Sequence, residues 1–212
     1  MTSDKKAIIF DLDGTLVDTM HIFADVASQL ISENYGIARD KARDMYFETS
    51  GLPFCQQIEL MFLGHELNSK ITALYETGKI EATADIKMDK ETREALRTLE
   101  ELGYDMAISS NNFERNVQNF VNNNNLNTIF ALALGFREEG FGKGKPHFDF
   151  IKDKMGYDGR EMVFVGDALN DARIARDNGL DFIAKLGTFG RSDFLKLDKN
   201  IKCIQNISDL II

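Results

Sequence analysis

Two aspartates, Asp11 and Asp13, are separated by one residue and are followed at once by Gly14. They come directly after Ile8-Ile9-Phe10, an apolar run of the kind that forms a buried strand. Gly14 lets the chain leave that strand in backbone conformations that other residues avoid. The two carboxylates are therefore predicted to lie at the carboxyl end of a strand, where open α/β sheets bind ligands. An ordinary turn explains the same residues, so alone they do not establish a site.

Two later apolar runs end in a similar way. Residues 106–108 lead into Ser110, and residues 162–165 lead through a glycine into Asp167. The strands of a parallel sheet all point one way, so the segments that follow them emerge at one edge. The sequence therefore predicts that Asp11, Ser110 and Asp167 lie at the same edge of a sheet.

The pattern of apolar residues predicts how these strands are connected. From about residue 88 onward, helical and strand patterns alternate, which is typical of a parallel sheet with helices on both faces. Residues 19–83 instead carry apolar residues at helical spacing. The predicted fold class is α/β, a Rossmann-like doubly wound parallel sheet with an inserted α-helical cap. The predicted domains are a core of residues 1–18 and 84–212 and a cap of residues 19–83.

Composition restricts the partners of the protein. Among the 212 residues, Asp and Glu outnumber Lys and Arg by 34 to 25, giving a net charge of -9, which disfavours nucleic-acid binding. The apolar segment at residues 7–10 is far too short for a signal peptide or a membrane span, so a cytoplasmic protein without membrane association is expected. Cys55 and Cys203 are predicted to be reduced thiols. An anionic substrate would require local positive charge or a metal cation.

Four separated segments of the chain carry the polar residues that are candidates for a functional site. In order, they are Asp11-Leu12-Asp13-Gly14-Thr15, Ser110-Asn111, Lys145-Pro146 and Gly166-Asp167-Ala168-Leu169-Asn170-Asp171. Together they resemble the motifs of the haloacid dehalogenase superfamily, in its phosphatase branch with a helical cap after the first strand. The first and last pieces are specific motifs, whereas the serine and the lysine gain weight from order and context. The resemblance spans the predicted core and extends to the cap in position and helical character only.

The resemblance implies a role for each matching residue. Asp11 would be the nucleophile that attacks phosphorus and forms an aspartyl-phosphate. Asp13 would protonate the leaving oxygen and then activate water, so it must be protonated when the first step begins. Ser110 and Lys145 would contact the phosphate and take part in catalysis. The further substrate-binding residues would be Thr15 and Asn111.

The resemblance also implies Mg²⁺ as the cofactor. The carboxylates of Asp11 and Asp167 and the backbone carbonyl of Asp13 are a plausible set of oxygen ligands. Asp171 lies one helical turn beyond Asp167 and would orient that carboxylate or a metal-bound water. A favourable acid at a helix start explains Asp171 as well as a direct metal contact does.

Two of these assignments depend on a neighbouring residue. Ser109 competes with Ser110, which is favoured because an asparagine follows it. Lys143 competes with Lys145, which is favoured because a proline follows it. His147, after that proline, is interpreted as an ordinary loop or helix-start histidine rather than a phosphate ligand.

The resulting prediction is a Mg²⁺-dependent phosphatase for a small soluble phosphomonoester, similar to phosphoglycolate phosphatases. The alternative is a sugar phosphomutase of the β-phosphoglucomutase type, which shares all four motifs. A dehalogenase is disfavoured because Asp13 and the metal site have no role in displacing a halide. A phospho-acceptor or binding module without turnover is disfavoured by the intact Asp13. The predicted partner is a small phosphorylated metabolite, and no oligomeric state is predicted.

Overall fold

The structure, a computed structural model, describes residues 5–84, 86–138 and 140–211. The chain divides into two compact units. One contains the residues up to Asp18 and those from Lys87 onward, and the other is Thr19–Ile86. Within the described residues, no helix is both long enough and apolar enough to cross a membrane.

The unit Thr19–Ile86 is helical, as its apolar spacing predicts. Its helices are α1 Met20–Tyr35, α2 Arg39–Glu48, α3 Phe54–Met61 and α4 Asn68–Thr83. Phe23, Tyr46, Ile58 and Ile71, one from each helix, are buried in one cluster, so each helix turns apolar side chains toward a shared core. This unit therefore has its own hydrophobic core.

The other unit contains a parallel sheet, for which the described residues give six strands in the order β3-β2-β1-β4-β5-β6. They are β1 Ala7–Phe10, β2 Asp105–Phe113, β3 Leu132–Phe136, β4 Met162–Gly166, β5 Asp181–Lys185 and β6 Lys202–Ile204. Ala7 of β1 pairs with Asp105 on one side and with Met162 on the other. The chain builds outward from β1 in one direction and then returns to start β4 on its other side. The predicted doubly wound α/β fold is thereby confirmed.

Helices cover this sheet and close its core. They are α5 Lys90–Glu101, α6 Glu114–Asn123, α7 Lys145–Met155, α8 Leu169–Asp177 and α9 Arg191–Leu197. Ile9, Ala107 and Phe164 from the central strands are buried together with Phe148 of α7 and Ala175 of α8. Short apolar strands buried in this way hold their ends firmly, so the residues that follow them are well positioned.

Gly135 in β3 lies directly against the backbone where α6 begins. A Cβ atom on this residue would be 2.4 Å from Glu114 Cα and 2.8 Å from the Asn112 carbonyl oxygen. We expect Gly135→Ala to lower the free energy of unfolding by about 3 kcal/mol, because backbone atoms would have to move to admit the methyl group. Urea unfolding followed by far-ultraviolet circular dichroism measures this change.

Gly190→Ala is the matched control. The Gly190 backbone, with φ at -84°, suits any residue, and a Cβ there would be 3.5 Å from Asp193 Oδ2, an ordinary contact. This variant should change the free energy of unfolding by less than about 1 kcal/mol. Equal losses in the two variants would contradict the close approach at Gly135.

Candidate active site

Polar residues gather at the edge of the sheet formed by the carboxyl ends of the strands. Asp11 follows β1, Ser110 lies in the last part of β2, and Asp167 follows β4. All three are buried, with exposed fractions of 4%, 2% and 1%. The Asp11 N–H donates to the Val165 carbonyl at 2.8 Å, so the pairing of β1 with β4 continues to the aspartate itself.

A tight turn after β1 positions Asp13. The Leu12 carbonyl accepts the N–H groups of Leu16 and Val17, at 2.9 and 3.2 Å, and Gly14 occupies φ = +87°. Only glycine adopts that conformation readily, which explains its place in the motif. Asp13 Oδ2 accepts a hydrogen bond from Asn112 Nδ2 at 3.0 Å, so the end of β2 orients the Asp13 carboxylate.

Three aspartates form a buried cluster next to this turn. Asp11, Asp167 and Asp171 each contribute a carboxylate oxygen, and these oxygens lie within 4.8 Å of one another. Asp171 is in the first turn of α8, and its Oδ2 accepts the Ala168 N–H at 3.2 Å. A Cβ on Gly166 would be 2.4 Å from that Oδ2, so only glycine permits this position of the Asp171 carboxylate.

The lysine in the cluster is Lys143. Its Nζ is 2.9 Å from Asp11 Oδ1 and 2.7 Å from Asp171 Oδ1, and its side chain is only 3% exposed. The Lys143 N–H donates to Asn111 Oδ1 at 3.0 Å, which ties its loop to the end of β2. Asn111 is therefore at the site, where its side-chain oxygen holds the lysine loop.

The expectation that Lys145 is the lysine at the site is wrong. Lys145 begins α7, and its Nζ pairs with Asp149 one turn further along, with 76% of the lysine side chain exposed. Pro146 lies in the first turn of this helix, where proline is common, and does not mark the lysine that faces the aspartates. Gly144 occupies φ = +114°, and this turn separates the inward Lys143 from the outward Lys145.

Burial controls the protonation of the cluster. Burial raises the pKa of Asp11 well above its ordinary value, the Lys143 charge opposes this shift, and the charges of Asp171 and Asp167 add to it. Burial also raises the pKa of Asp167 to about 7, and Asp171 contributes. Burial alone would lower the pKa of Lys143, but the charges of Asp11 and Asp171 raise it, so the ammonium stays charged.

The cluster fits a divalent metal ion. Three carboxylates against one ammonium leave an excess of negative charge in a buried space, which a divalent cation would neutralise. The donors are all oxygen atoms, which suits hard cations such as Mg²⁺ or Ca²⁺. Asp11, Asp167 and Asp171 are therefore the residues that could hold a metal.

The two adjacent serines have different partners. Ser110 Oγ accepts the Asn112 N–H at 3.0 Å, close to the residue that orients Asp13. Ser109 Oγ instead lies 2.9 Å from His147 Nδ1, and His147 Nε2 is 3.1 Å from the Gly135 carbonyl. The carbonyl can only accept, so Nε2 carries the proton and Nδ1 accepts from Ser109. His147 thus joins β2 to β3 and is fully buried.

Two hydroxyl groups support Asp167. The hydroxyl of Thr15 donates to Asp167 Oδ1 at 3.4 Å, and the hydroxyl of Thr188 donates to Asp167 Oδ2. The sequence analysis did not identify Thr188 or Asn112. Both lie at or just beyond the carboxyl end of a strand, β5 for Thr188 and β2 for Asn112, so the strand-end rule that found Asp11 could have pointed to them.

Comparison with known proteins shows which family the chain belongs to. The sequence profile described as haloacid dehalogenase-like hydrolase matches residues 8–185. The chain belongs to the haloacid dehalogenase-like hydrolase family. A phosphoglycolate phosphatase from Haemophilus influenzae is 27% identical over 206 residues, covering 84% of each chain. Another from Photorhabdus laumondii is 25% identical over 217 residues, covering 97% of this chain and 91% of the relative.

A solved structure shows the same fold for another haloacid dehalogenase-like hydrolase, from Streptococcus pneumoniae. It superposes with a TM-score of 0.81 at 19% identity, covering 99% of this chain and 98% of the other. The predicted haloacid dehalogenase family is therefore confirmed, and with it the prediction that the protein is a hydrolase.

The buried His147 predicts how stability depends on pH. Burial lowers its pKa from 6.5 to about 4, so between these values the unfolded chain binds a proton that the folded chain does not. As pH falls from 8 to 5, the wild-type protein should therefore lose about 2 kcal/mol more free energy of unfolding than His147→Gln. Urea unfolding at both pH values measures the two losses. Identical losses would show that His147 takes up its proton without opposing the fold.

Proposed function

We propose that this protein is a Mg²⁺-dependent phosphatase that hydrolyses a small phosphomonoester through an aspartyl-phosphate on Asp11. The observation that carries the proposal is the contact of Lys143 Nζ with Asp11 Oδ1, at 2.9 Å, inside a cluster of three buried aspartates. The Lys143 ammonium opposes the rise in pKa that burial imposes on Asp11, and so favours the ionised carboxylate, which is the form that can act as a nucleophile.

Asp11 and Asp167 would hold the Mg²⁺, together with the backbone carbonyl of Asp13. Asp171 would stay beside the ion and keep Lys143 in place through its own contact of 2.7 Å. When bound, the ion supplies positive charge that lets a phosphate approach this acidic site. Thr15 and Thr188 orient the Asp167 carboxylate through their hydroxyl groups.

Asp11 and Asp13 divide the chemistry between them. A carboxylate oxygen of Asp11 attacks phosphorus, and the bond from phosphorus to the leaving oxygen breaks as Asp13 donates its proton to that oxygen. Asp13 then takes a proton from water, which attacks phosphorus, releases inorganic phosphate and restores Asp11. The hydrogen bond from Asn112 Nδ2 holds the Asp13 carboxylate while it exchanges these protons.

Lys143 and Ser110 would bind the phosphate oxygens. Ser110 Oγ already accepts the Asn112 N–H, and its own O–H hydrogen, which that contact does not use, would donate to phosphate. Asn111 holds the backbone of Lys143, so its effect on the substrate is indirect. Thr15 acts in the same indirect way, through Asp167.

The two curated relatives suggest 2-phosphoglycolate as the first substrate to examine, because both are phosphoglycolate phosphatases. The wild-type protein with Mg²⁺ should release inorganic phosphate from p-nitrophenyl phosphate and from 2-phosphoglycolate, and a chelator should stop it. Asp11→Asn should lower kcat at least about 10³-fold, because the side-chain amide of asparagine cannot replace the carboxylate as the nucleophile. Phosphate release measured with a colorimetric assay gives both values.

Asp153→Asn, an equivalent change at an exposed position of α7, is the matched control and should keep full activity. Wild-type activity in Asp11→Asn would show that Asp11 is not the nucleophile. Conversion of a sugar phosphate into its isomer without phosphate release would favour a phosphomutase. A folded wild-type protein that turns over no phosphate ester would favour a binding module.

Substitutions of the two nearby lysines test whether Lys143 or Lys145 binds the phosphate. Lys143→Ala should lower kcat/KM by about 10²-fold or more, because it removes a buried charge that faces the nucleophile. Lys145→Ala should change kcat/KM less than about twofold, because its exposed ion pair with Asp149 contributes little. Steady-state kinetics of both variants on the same substrate checks this, and the opposite order would restore Lys145 as the phosphate ligand.

A further inference from the structure

A cavity lies at the opposite edge of the sheet from the aspartate cluster. It has a volume of about 560 Å³, and its lining includes Lys5 just before β1, Asp181 at the start of β5 and Lys202 at the start of β6. The aspartates follow the carboxyl ends of parallel strands, whereas this cavity borders the amino ends. A strand of five residues such as β4 separates the two edges by roughly 16 Å, at about 3.3 Å a residue.

Much of the cavity wall is apolar. Leu180, Phe182, Ile183 and Leu197 contribute to it, from the start of β5 and the end of α9. Small-molecule sites in proteins are concave, mostly apolar spaces of about 300–1,000 Å³ with a few polar groups that fix the ligand. The cavity has the size and the apolar lining of such a site.

The polar part of the lining is predominantly positive. Four cationic side chains, of Lys5, Arg173, Arg176 and Lys202, stand against the two carboxylates of Asp181 and Asp198. The protein as a whole carries a net charge of -9, so this local excess of positive charge runs against its composition. The cavity is therefore electrostatically suited to an anion.

Only some of these cationic side chains form ion pairs or hydrogen bonds within the protein. Lys5 Nζ pairs with Asp181 Oδ2 at 2.7 Å and donates to the Met162 carbonyl at 3.0 Å. Arg176 pairs with Asp177, its neighbour in sequence. In the part of the chain that the structure describes, the side chains of Arg173 and Lys202 make neither an ion pair nor a hydrogen bond. These two exposed cations at the cavity are therefore available to a ligand.

We propose that this cavity, the basic pocket, binds a small organic anion whose charged group is attached to an apolar body. Arg173 and Lys202 bind the anionic group, and Leu180, Phe182 and Leu197 contact the apolar part. This site is separate from the proposed phosphatase site and does not depend on it, because no residue of the aspartate cluster lines the pocket.

The fluorescent probe 8-anilinonaphthalene-1-sulfonate has this chemistry, since it joins a sulfonate to aromatic rings. Titrated against the full chain, it should bind saturably at one site. Arg173→Glu and Lys202→Glu should each raise its Kd about tenfold or more, because each replaces a charge-assisted contact with repulsion. Arg97→Glu, at an exposed position of α5 outside the pocket, is the matched control and should change Kd less than about twofold.

Leu197→Trp tests the apolar wall without changing the charge of the pocket. It should also raise the Kd of the probe, because the larger side chain fills part of the cavity. Far-ultraviolet circular dichroism verifies that each variant is folded. Octanoate should displace the probe, and inorganic phosphate at the same concentration should not. Unchanged binding in all three pocket variants, or the absence of a saturable site, would overturn the proposal. Equal displacement by phosphate would overturn the role of the apolar wall.

Discussion

The site depends on the buried contacts of Lys143 Nζ with Asp11 and Asp171, at 2.9 and 2.7 Å. With Asp167 nearby, three carboxylates share a space in which like charges repel and water cannot screen them. The ammonium offsets part of that repulsion, and a divalent cation would offset the rest. The geometry of the loop that carries Lys143 is therefore as important to the chemistry as the aspartates.

The backbone makes room for this cluster at specific points. Gly166, at the end of β4, has no Cβ where the Asp171 carboxylate lies. The Ala168 N–H donates a hydrogen bond to that carboxylate. Gly14 turns the chain after β1, so that Asp13 meets Asn112 at the end of β2. These contacts join the ends of different strands, and the parallel sheet is what brings those ends together.

Helix α8 connects the two regions to which we assign functions. Its first turn carries Asp171 in the aspartate cluster, and Arg173 and Arg176, further along, line the basic pocket. The aspartate cluster at the carboxyl ends of the strands is acidic, whereas the lining of the basic pocket, beside the amino ends of β5 and β6, carries an excess of positive charge. One edge is thus suited to a metal and a phosphate, and the other to an organic anion without a metal.

Much of the fold and part of the site could be predicted from the sequence because they depend on local patterns. Alternating apolar strands and helices imply a parallel sheet, and a parallel sheet brings Asp11 and Asp167 to one edge whatever the details of the loops. Asp171 follows from the same reasoning, since helical spacing places it one turn beyond Asp167. The resemblance to the haloacid dehalogenase superfamily follows from these same ordered motifs.

Only the tertiary structure decided which of several adjacent polar residues faces the site. Lys143 and Lys145 are two residues apart, and the left-handed turn at Gly144 with the start of α7 sends one inward and the other to solvent. Ser109 pairs with His147 while Ser110 faces the end of β2. Such choices depend on partners distant in sequence and on backbone angles of glycines, and neither is encoded in the spacing of residue types.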